Sequence, residues 1–180
     1  MLDQAPAGPR IMNATGTFTS TDGVVLAFRP IERDDAARLE RMFFRLSPTT
    51  VYRRFFSPIH EPSTKMLRWF TEVDHDSREA LVALDGDEIV GVARYDGRPG
   101  SRDAEIAVTV EDAWQHRGVG RKLARRLAAC ALDHGFERFI ATMLSENREA
   151  IGLLRRLSSD ARVRFDDGTY SAVAPLSRAS

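Results

Sequence analysis

The sequence predicts an α/β fold on a mixed sheet, with elements in the order β-α-α-α-β-β-β-α-β-α-β-β. Two observations predict it. Apolar residues recur at helical steps over residues 36–73, give way to strand-forming runs with hairpin turns over 80–110, and then alternate helix, strand and helix. Hairpins make antiparallel neighbours, whereas a strand–helix–strand crossover makes parallel ones, so the sheet is expected to be mixed. The 180 residues fit one domain, read as 17–180 behind a short arm, 1–16.

The arm carries Pro6, Gly8, Pro9 and Gly16 without an apolar pattern and is expected to be disordered. Val24–Phe28 reads as the first strand, closed by Arg29-Pro30. Asp34 or Asp35 can cap a helix whose Ala36, Leu39, Phe43 and Leu46 share one face. Ser47-Pro48 ends it and opens a second helix through Tyr52 and Phe55, because proline suits a first helical position. Pro62-Ser63 opens a third, with Met66, Phe70 and Val73 inward. Ala80–Leu84, the Asp85-Gly86 turn and Glu88–Tyr95 predict a hairpin, and Ala104–Val110 the next strand. Gly118–His134 is the strongest helix, with Val119, Leu123, Leu127, Cys130 and Ala131 on one face and Arg121, Lys122, Arg125, Arg126 and Asp133 on the other. Gly135 stands where a helix commonly stops. A strand over Phe139–Leu144, a helix over Asn147–Leu157 and a hairpin of Val163–Phe165 with Thr169–Ala174 complete the order.

Composition narrows the function. Lys+Arg and Asp+Glu number 26 each, so no global charge draws the chain to nucleic acid or membrane. One cysteine excludes an internal disulfide framework, and His60, His75 and His134 have no metal-ligand spacing, so no metal site is expected. The first sixteen residues lack the basic and apolar regions of a signal peptide. The longest apolar run, Leu127–Leu132, is far short of the roughly 20 residues of a membrane span. The expected compartment is the cytoplasm.

The chemistry concentrates between Glu105 and Leu123. A strand ending Val108-Thr-Val110 runs through a short connection into a helix that opens Gln115-His116-Arg117-Gly118-Val119-Gly120. The free N–H groups of a first helical turn, the helix dipole and close-approach glycines make an anion site, to which Arg117, Arg121 and Lys122 add full charges. It is neither a G-x-x-x-x-G-K-[ST] loop nor a G-x-G-x-x-G dinucleotide turn. By spacing alone, Gly118 and Gly120 could equally serve close helix–sheet packing. Local phosphate binding accounts for the basic cluster Arg117–Arg126 more economically than nucleic acid does.

Gln115-x-x-Gly118-x-Gly120 after a strand resembles the acyl-CoA pyrophosphate loop of the GNAT N-acyltransferase superfamily, over about residues 24–175. Arg29-Pro30-Ile31 with Asp34-Asp35-Ala36, followed by Leu46-Ser-Pro-x-x-x-Tyr-x-Arg-Phe-Phe56, is similar to the acetyltransferase domain of Pat-type protein lysine acetyltransferases. Those usually carry a fused regulatory domain, for which 180 residues leave no room. The resemblance implies a GNAT-like fold and acetyl-CoA as co-substrate, without a metal. It implies that the amides of Val108 and Val110 hold the acetyl carbonyl and pantetheine. The pyrophosphate would lie on the amides of Gln115, His116, Arg117, Gly118, Val119, Gly120 and Arg121, with Asn147 beside the cofactor arm. Glu105 matches the family's general base, and a bulge is implied in its strand.

The chemistry agrees. An amine attacks a thioester only after losing its proton, and the developing oxyanion needs N–H donors. In a regular strand Glu105 and the pair Val108 and Val110 point to opposite faces, which the bulge would relax. Arg94 or Arg102 could instead pair with Glu105 as a surface charge, and Glu111 and Asp112 read as solvated loop residues. The chain departs from many GNAT enzymes in having no tyrosine over 148–157, and Leu157-Ser-Ser-Asp-Ala161 replaces their usual Leu-Gly-Phe. The expected activity is direct acetyl transfer in a ternary complex to an amine, a protein lysine favoured. The alternatives are a small-molecule amine, or a non-catalytic acyl-CoA-binding module.

Overall fold

Short-range spacing explains most of the elements in a computed structural model of the chain, which describes residues 14–98 and 100–178. Strands β1 (Gly16–Thr19), β2 (Val25–Pro30), β3 (Arg78–Asp85), β4 (Glu88–Gly97), β5 (Asp103–Val110), β6 (Arg138–Leu144), β7 (Arg162–Asp166) and β8 (Thr169–Pro175) form one sheet. Their spatial order is β1-β2-β3-β4-β5-β6-β8-β7. Every neighbouring pair is antiparallel except β5 and β6, which are parallel because the helix between them carries the chain back to the same end. The sheet is mixed, as expected.

Three short helices follow β2: α1 (Ala36–Arg45), α2 (Pro48–Phe55) and α3 (Thr64–Thr71). Pro48 occupies the first turn of α2, and Ser47 and Ser63 cap α2 and α3 by accepting from the N–H groups of Thr50 and Met66, each at 3.2 Å. The long α4 (Val119–Asp133) links β5 to β6, and α5 (Arg148–Leu157) links β6 to β7. Strand β3 is buried on both faces. Leu81 and Ala83 join Leu123, Leu127 and Phe139 on the α4 side, while Ala80, Val82 and Leu84 join Ile31 and Met42 on the α1 side. Gly91 on β4 lets α4 close on the sheet: a Cβ there would stand 3.0 Å from Val119 Cγ1.

Two expectations need correction. The chain has a strand before the first predicted one, and the expected arm ends in it. Gly16 begins β1, Ala14 is buried, and Phe18 packs on Phe28 with ring centroids 6.1 Å apart. A four-residue edge strand containing two threonines offers little apolar signal by itself; the partner β2 creates it. Residues 1–13 of that arm lie outside the described residues. The second correction concerns Arg126, expected on the polar face of the helix in the basic cluster Arg117–Arg126. Its guanidinium covers the Phe28 ring at 3.9 Å. Among the described residues, no helix is long and apolar enough to cross a membrane.

Candidate active site

Parallel pairing between β5 and β6 covers only Asp103↔Arg138, Ala104↔Phe139 and Glu105↔Ile140. Beyond Glu105, β6 continues against β8 and β5 continues against β4, so the two strands part. The Glu111 N–H donates to Val90 O on β4 at 2.9 Å. Backbone direction alternates along a strand, so residues 109, 107 and 105 present N–H to β4, and Val110 and Val108, beyond the last pair with β6, present theirs to the open side.

This geometry replaces the bulge. The register from Gly97↔Ala104 to Gly91↔Val110 runs without a shift. Opposite faces constrain side chains, whereas amides lie in the plane of the sheet. A carboxylate on one face and donors along the edge can therefore serve the same point in the gap. Glu105 shares its face with Ala107 and Thr109, on the α1–α3 side, since Ala104 and Ile106 are buried on the other. Glu105 is exposed and makes no ion pair or side-chain hydrogen bond among the described residues. The surface partners considered for it are engaged elsewhere, Arg94 with Asp96 at 3.1 Å and Arg102 with Glu137.

The gap opens into a cleft of about 640 Å³ that reaches the N-terminus of α4. Gly118 is the N-cap residue, at φ 83°, with no side chain capping the turn and no acidic residue in it. The first intrahelical donor is Lys122, bonded to Gly118 O at 3.0 Å, so the amides of Val119, Gly120 and Arg121 have no helical partner. A Cβ on Gly120 would touch Val110 and Val108 at 3.4 and 3.5 Å, ordinary contact, so packing against β5 does not by itself demand glycine there.

Of the residues singled out in the sequence, Glu105, Val108, Val110, Gln115, His116, Gly118, Val119, Gly120, Arg121 and Asn147 all line this cleft. Arg117 does not. Its guanidinium pairs with Asp22 at 2.7 Å and lies over the Trp114 ring at 5.0 Å, while its carbonyl accepts from Thr21 N–H at 3.0 Å. It ties the turn after β1 to the loop. Gln115 has a side-chain role of its own: Nε2 donates to Val110 O at 3.1 Å and to Thr50 Oγ1 at 3.2 Å. Asn147 is the N-cap of α5, its Oδ1 accepting from Ala150 N–H at 3.2 Å, which leaves its amide nitrogen for the cleft.

Asp112 is exposed, as expected of a solvated loop residue, whereas Glu111 is largely covered, and both act as clamps. Glu111 pairs with Arg45 at 2.9 Å. Asp112 accepts from the Ser47 N–H, Ser47 Oγ and Thr50 Oγ1 at 2.9, 2.6 and 2.9 Å and so fixes the start of α2 beside the loop. Burial would raise its pKa, but hydrogen bonds from Ser47 and Thr50 outweigh that and hold the carboxyl below its ordinary value.

Helix α2 supplies residues the sequence reading left unassigned: Thr50, Arg53 and Arg54 line the cleft. Arg53 reaches Glu149 of α5 at 3.4 Å, across the opening. The Tyr-x-Arg-Phe-Phe pattern marked Arg54, but nothing local says that α2 lies over the gap between β5 and β6. Cys130 is buried far along α4, where burial and Glu79 push its thiol up to about 12, so it offers no thiolate nucleophile. Among the described residues, no group of three or more His, Cys, Asp or Glu stands together to hold a metal.

Residues 41–158 match the acetyltransferase (GNAT) family. An acetyltransferase of Pseudomonas aeruginosa is 32% identical over 152 residues, 82% of each chain. The acetyltransferase Pat of Mycolicibacterium smegmatis is 31% identical over 135 residues, which are 73% of this chain and 40% of that longer protein. The crystal structure of the GNAT domain of S. lividans PAT superposes with a TM-score of 0.84 at 32% identity, over 92% of this chain and 98% of that one.

Proposed function

The chain belongs to the acetyltransferase (GNAT) family, and on that premise we propose that it moves an acetyl group from acetyl-CoA directly to a protein lysine in a ternary complex. The observation that carries this reading is the parting of β5 from β6 beyond Glu105. It joins a row of outward amides, a free carboxylate and a bare helix N-terminus in one cleft.

The cleft's residues suit acetyl-CoA. The open amides of Val119, Gly120 and Arg121, with those of the preceding loop, would hold its pyrophosphate. The amides of Val108 and Val110 would accept the pantetheine arm and the thioester oxygen, and Asn147 would meet the arm from α5. Glu105 takes the proton of the attacking amine, directly or through one water, and the edge amides stabilise charge as it develops on the carbonyl oxygen. A CoA thiolate needs little help to leave at neutral pH, which fits the absence of tyrosine over 148–157. The lysine acceptor is supported by likeness to Pat and to the S. lividans PAT domain. The reading puts residues 17–180 to work as one catalytic unit in the cytoplasm, the compartment of the donor.

Titration with acetyl-CoA, run beside a thiol-release assay on lysine-bearing protein and mass spectrometry of the product, tests it. The expected result is amine-dependent CoA release with acetyl-lysine formed. Tight acetyl-CoA binding without release on any amine would instead identify a non-catalytic binding module.

A further inference from the structure

We propose that the acceptor carries a carboxylate close to its reacting amine, and that Arg54 on α2 is the residue that reads it. The proposal rests on the reading that the amine enters at Glu105. Arg54 makes no hydrogen bond or ion pair among the described residues; its guanidinium lies beside the Phe55 and Phe70 rings, 5.1 and 5.8 Å from their centroids. Buried and half-buried arginines on the same side of the sheet are matched, Arg29 with Asp35 at 2.6 Å, Arg78 with Asp96 at 2.7 Å and Arg94 with Asp96 at 3.1 Å. Arg126, also without an anion, lies outside the cleft over Phe28.

A half-buried guanidinium set among aromatic rings has given up part of its water with no anion to replace it. Burial and the nearby charge of Arg94 lower the pKa of Arg54, to about 10. Asp96 and Glu105 are the acids whose charges act on it. Asp96 already serves Arg78 and Arg94, and Glu105 must remain free to receive a proton. The missing anion therefore comes from a ligand.

Position decides which ligand. Helix α2 runs along β5 from Thr50, held at Gln115, to Arg54 one turn on. Glu105 and Val110 are five residues apart on an extended strand, roughly 17 Å. A pyrophosphate at the start of α4 thus lies beyond the Val110 end, away from Glu105. Arg54 also stands at the rim of a smaller apolar cavity of about 60 Å³ under Met42, Phe43, Phe55, Met66 and Phe70, room for a few carbon atoms. Glu105 and Arg54 line the same cleft and present a negative and a positive charge to it, the complement of an ammonium with a neighbouring carboxylate. A free amino acid has that pair, and so does a lysine next to an aspartate or glutamate.

Matched acceptors test it on the intact protein: leucine against leucinamide, and lysine peptides with Glu against Gln beside the lysine. The wild type should favour the carboxylate member of at least one pair by about 10- to 100-fold in kcat/KM, mainly through KM, the usual worth of a hydrogen bond to a charged group. The pair that discriminates identifies the source. In Arg54→Met the ratio should fall to near one, and Arg54→Lys should retain part of it. Equal use of both members by the wild type in both pairs would overturn the proposal, as would a preference that survives Arg54→Met in a folded variant. If Arg54→Met does not fold, the wild-type ratios decide alone. A Glu105→Gln variant run in parallel separates the failures: full activity there sinks the reading of the amine's entry, whereas its loss beside absent discrimination sinks only the role of Arg54.

Discussion

The two ends of α4 are built from the same backbone and treated oppositely. At the C-terminal end, Gly135 at φ 83° turns the chain so that its N–H reaches Leu132 O at 3.1 Å and Phe136 N–H reaches Ala131 O at 2.9 Å. His134 Nδ1 lies 2.9 Å from Cys130 O and 3.1 Å from the Tyr95 hydroxyl. The last carbonyls are thus satisfied within the fold. At the N-terminal end Gly118 has the same φ of 83°, yet the three following amides find no partner and face the cleft. The contrast between a bare end and a largely closed one supports the proposed pyrophosphate site at the start of α4.

That contrast can be broken in order of effect. The largest change should come from Glu105→Gln, which removes the proposed base at the far end of the cleft and leaves the backbone donors of the open helix end intact. Turnover should fall about 100- to 10,000-fold while the acetyl-CoA dissociation constant stays near wild type. Raising pH should recover part of the rate, because the amine, of pKa about 10.4 for lysine, then loses its proton unaided. A wild-type rate at neutral pH on a verified acceptor would remove Glu105 from the mechanism.

Next comes Gly120→Leu. A methyl at this position meets Val108 and Val110 at ordinary contact, so the fold should tolerate the first carbon, but the rest of the side chain must enter the cleft. Acetyl-CoA affinity should weaken about 10- to 100-fold, the worth of one or more hydrogen bonds to a charged group. Calorimetry giving an unchanged dissociation constant in a folded variant would reduce the loop to a packing turn.

The sharpest comparison pairs Gly118→Ala with Gly135→Ala. Both glycines adopt the same left-handed conformation, and an added Cβ meets nothing within 4 Å at Gly135 and only Thr21 Cγ2, at 3.5 Å, at Gly118. Each should cost about 1–2 kcal/mol of stability, lowering Tm by roughly 2–8 °C. Only the Gly118 variant should also weaken acetyl-CoA binding; equal effects on binding from both would dissolve the distinction between the two ends. The smallest effect belongs to Arg117→Ala. Its guanidinium is held by Asp22 and Trp114, so the dissociation constant should change less than about threefold, and less still at high salt, as expected for exposed charges. A tenfold loss would show that Arg117 turns into the cleft when ligand binds.

Much of this frame was legible in the chain. Val119, Leu123, Leu127, Cys130 and Ala131 mark the buried face of α4 by spacing alone, and all five are buried. Gly135 and Pro48 announce a helix stop and a helix start because each residue's own backbone preference decides the matter. The helix-start pattern also brought Gln115, Gly118 and Gly120 forward, and the family resemblance Glu105 and Asn147, and they line one cleft. The reading failed where a residue's role depends on a distant partner. β1 exists because β2 pairs with it, Glu111 and Asp112 act on Arg45 and α2, more than sixty residues away, and Arg117 answers to Asp22.

By itself, then, the sequence determined the helices, the turns, the glycine-rich helix start and seven of the eight strands, since these follow from contacts a few residues long. Tertiary structure alone decided that β5 and β6 part after Glu105, that α2 lies over the gap, and that Arg54 lines the same cleft as Glu105. Strand register and helix placement are set by burial summed over the whole core. No local preference in Glu105 or Arg54 encodes that the two will line one cleft.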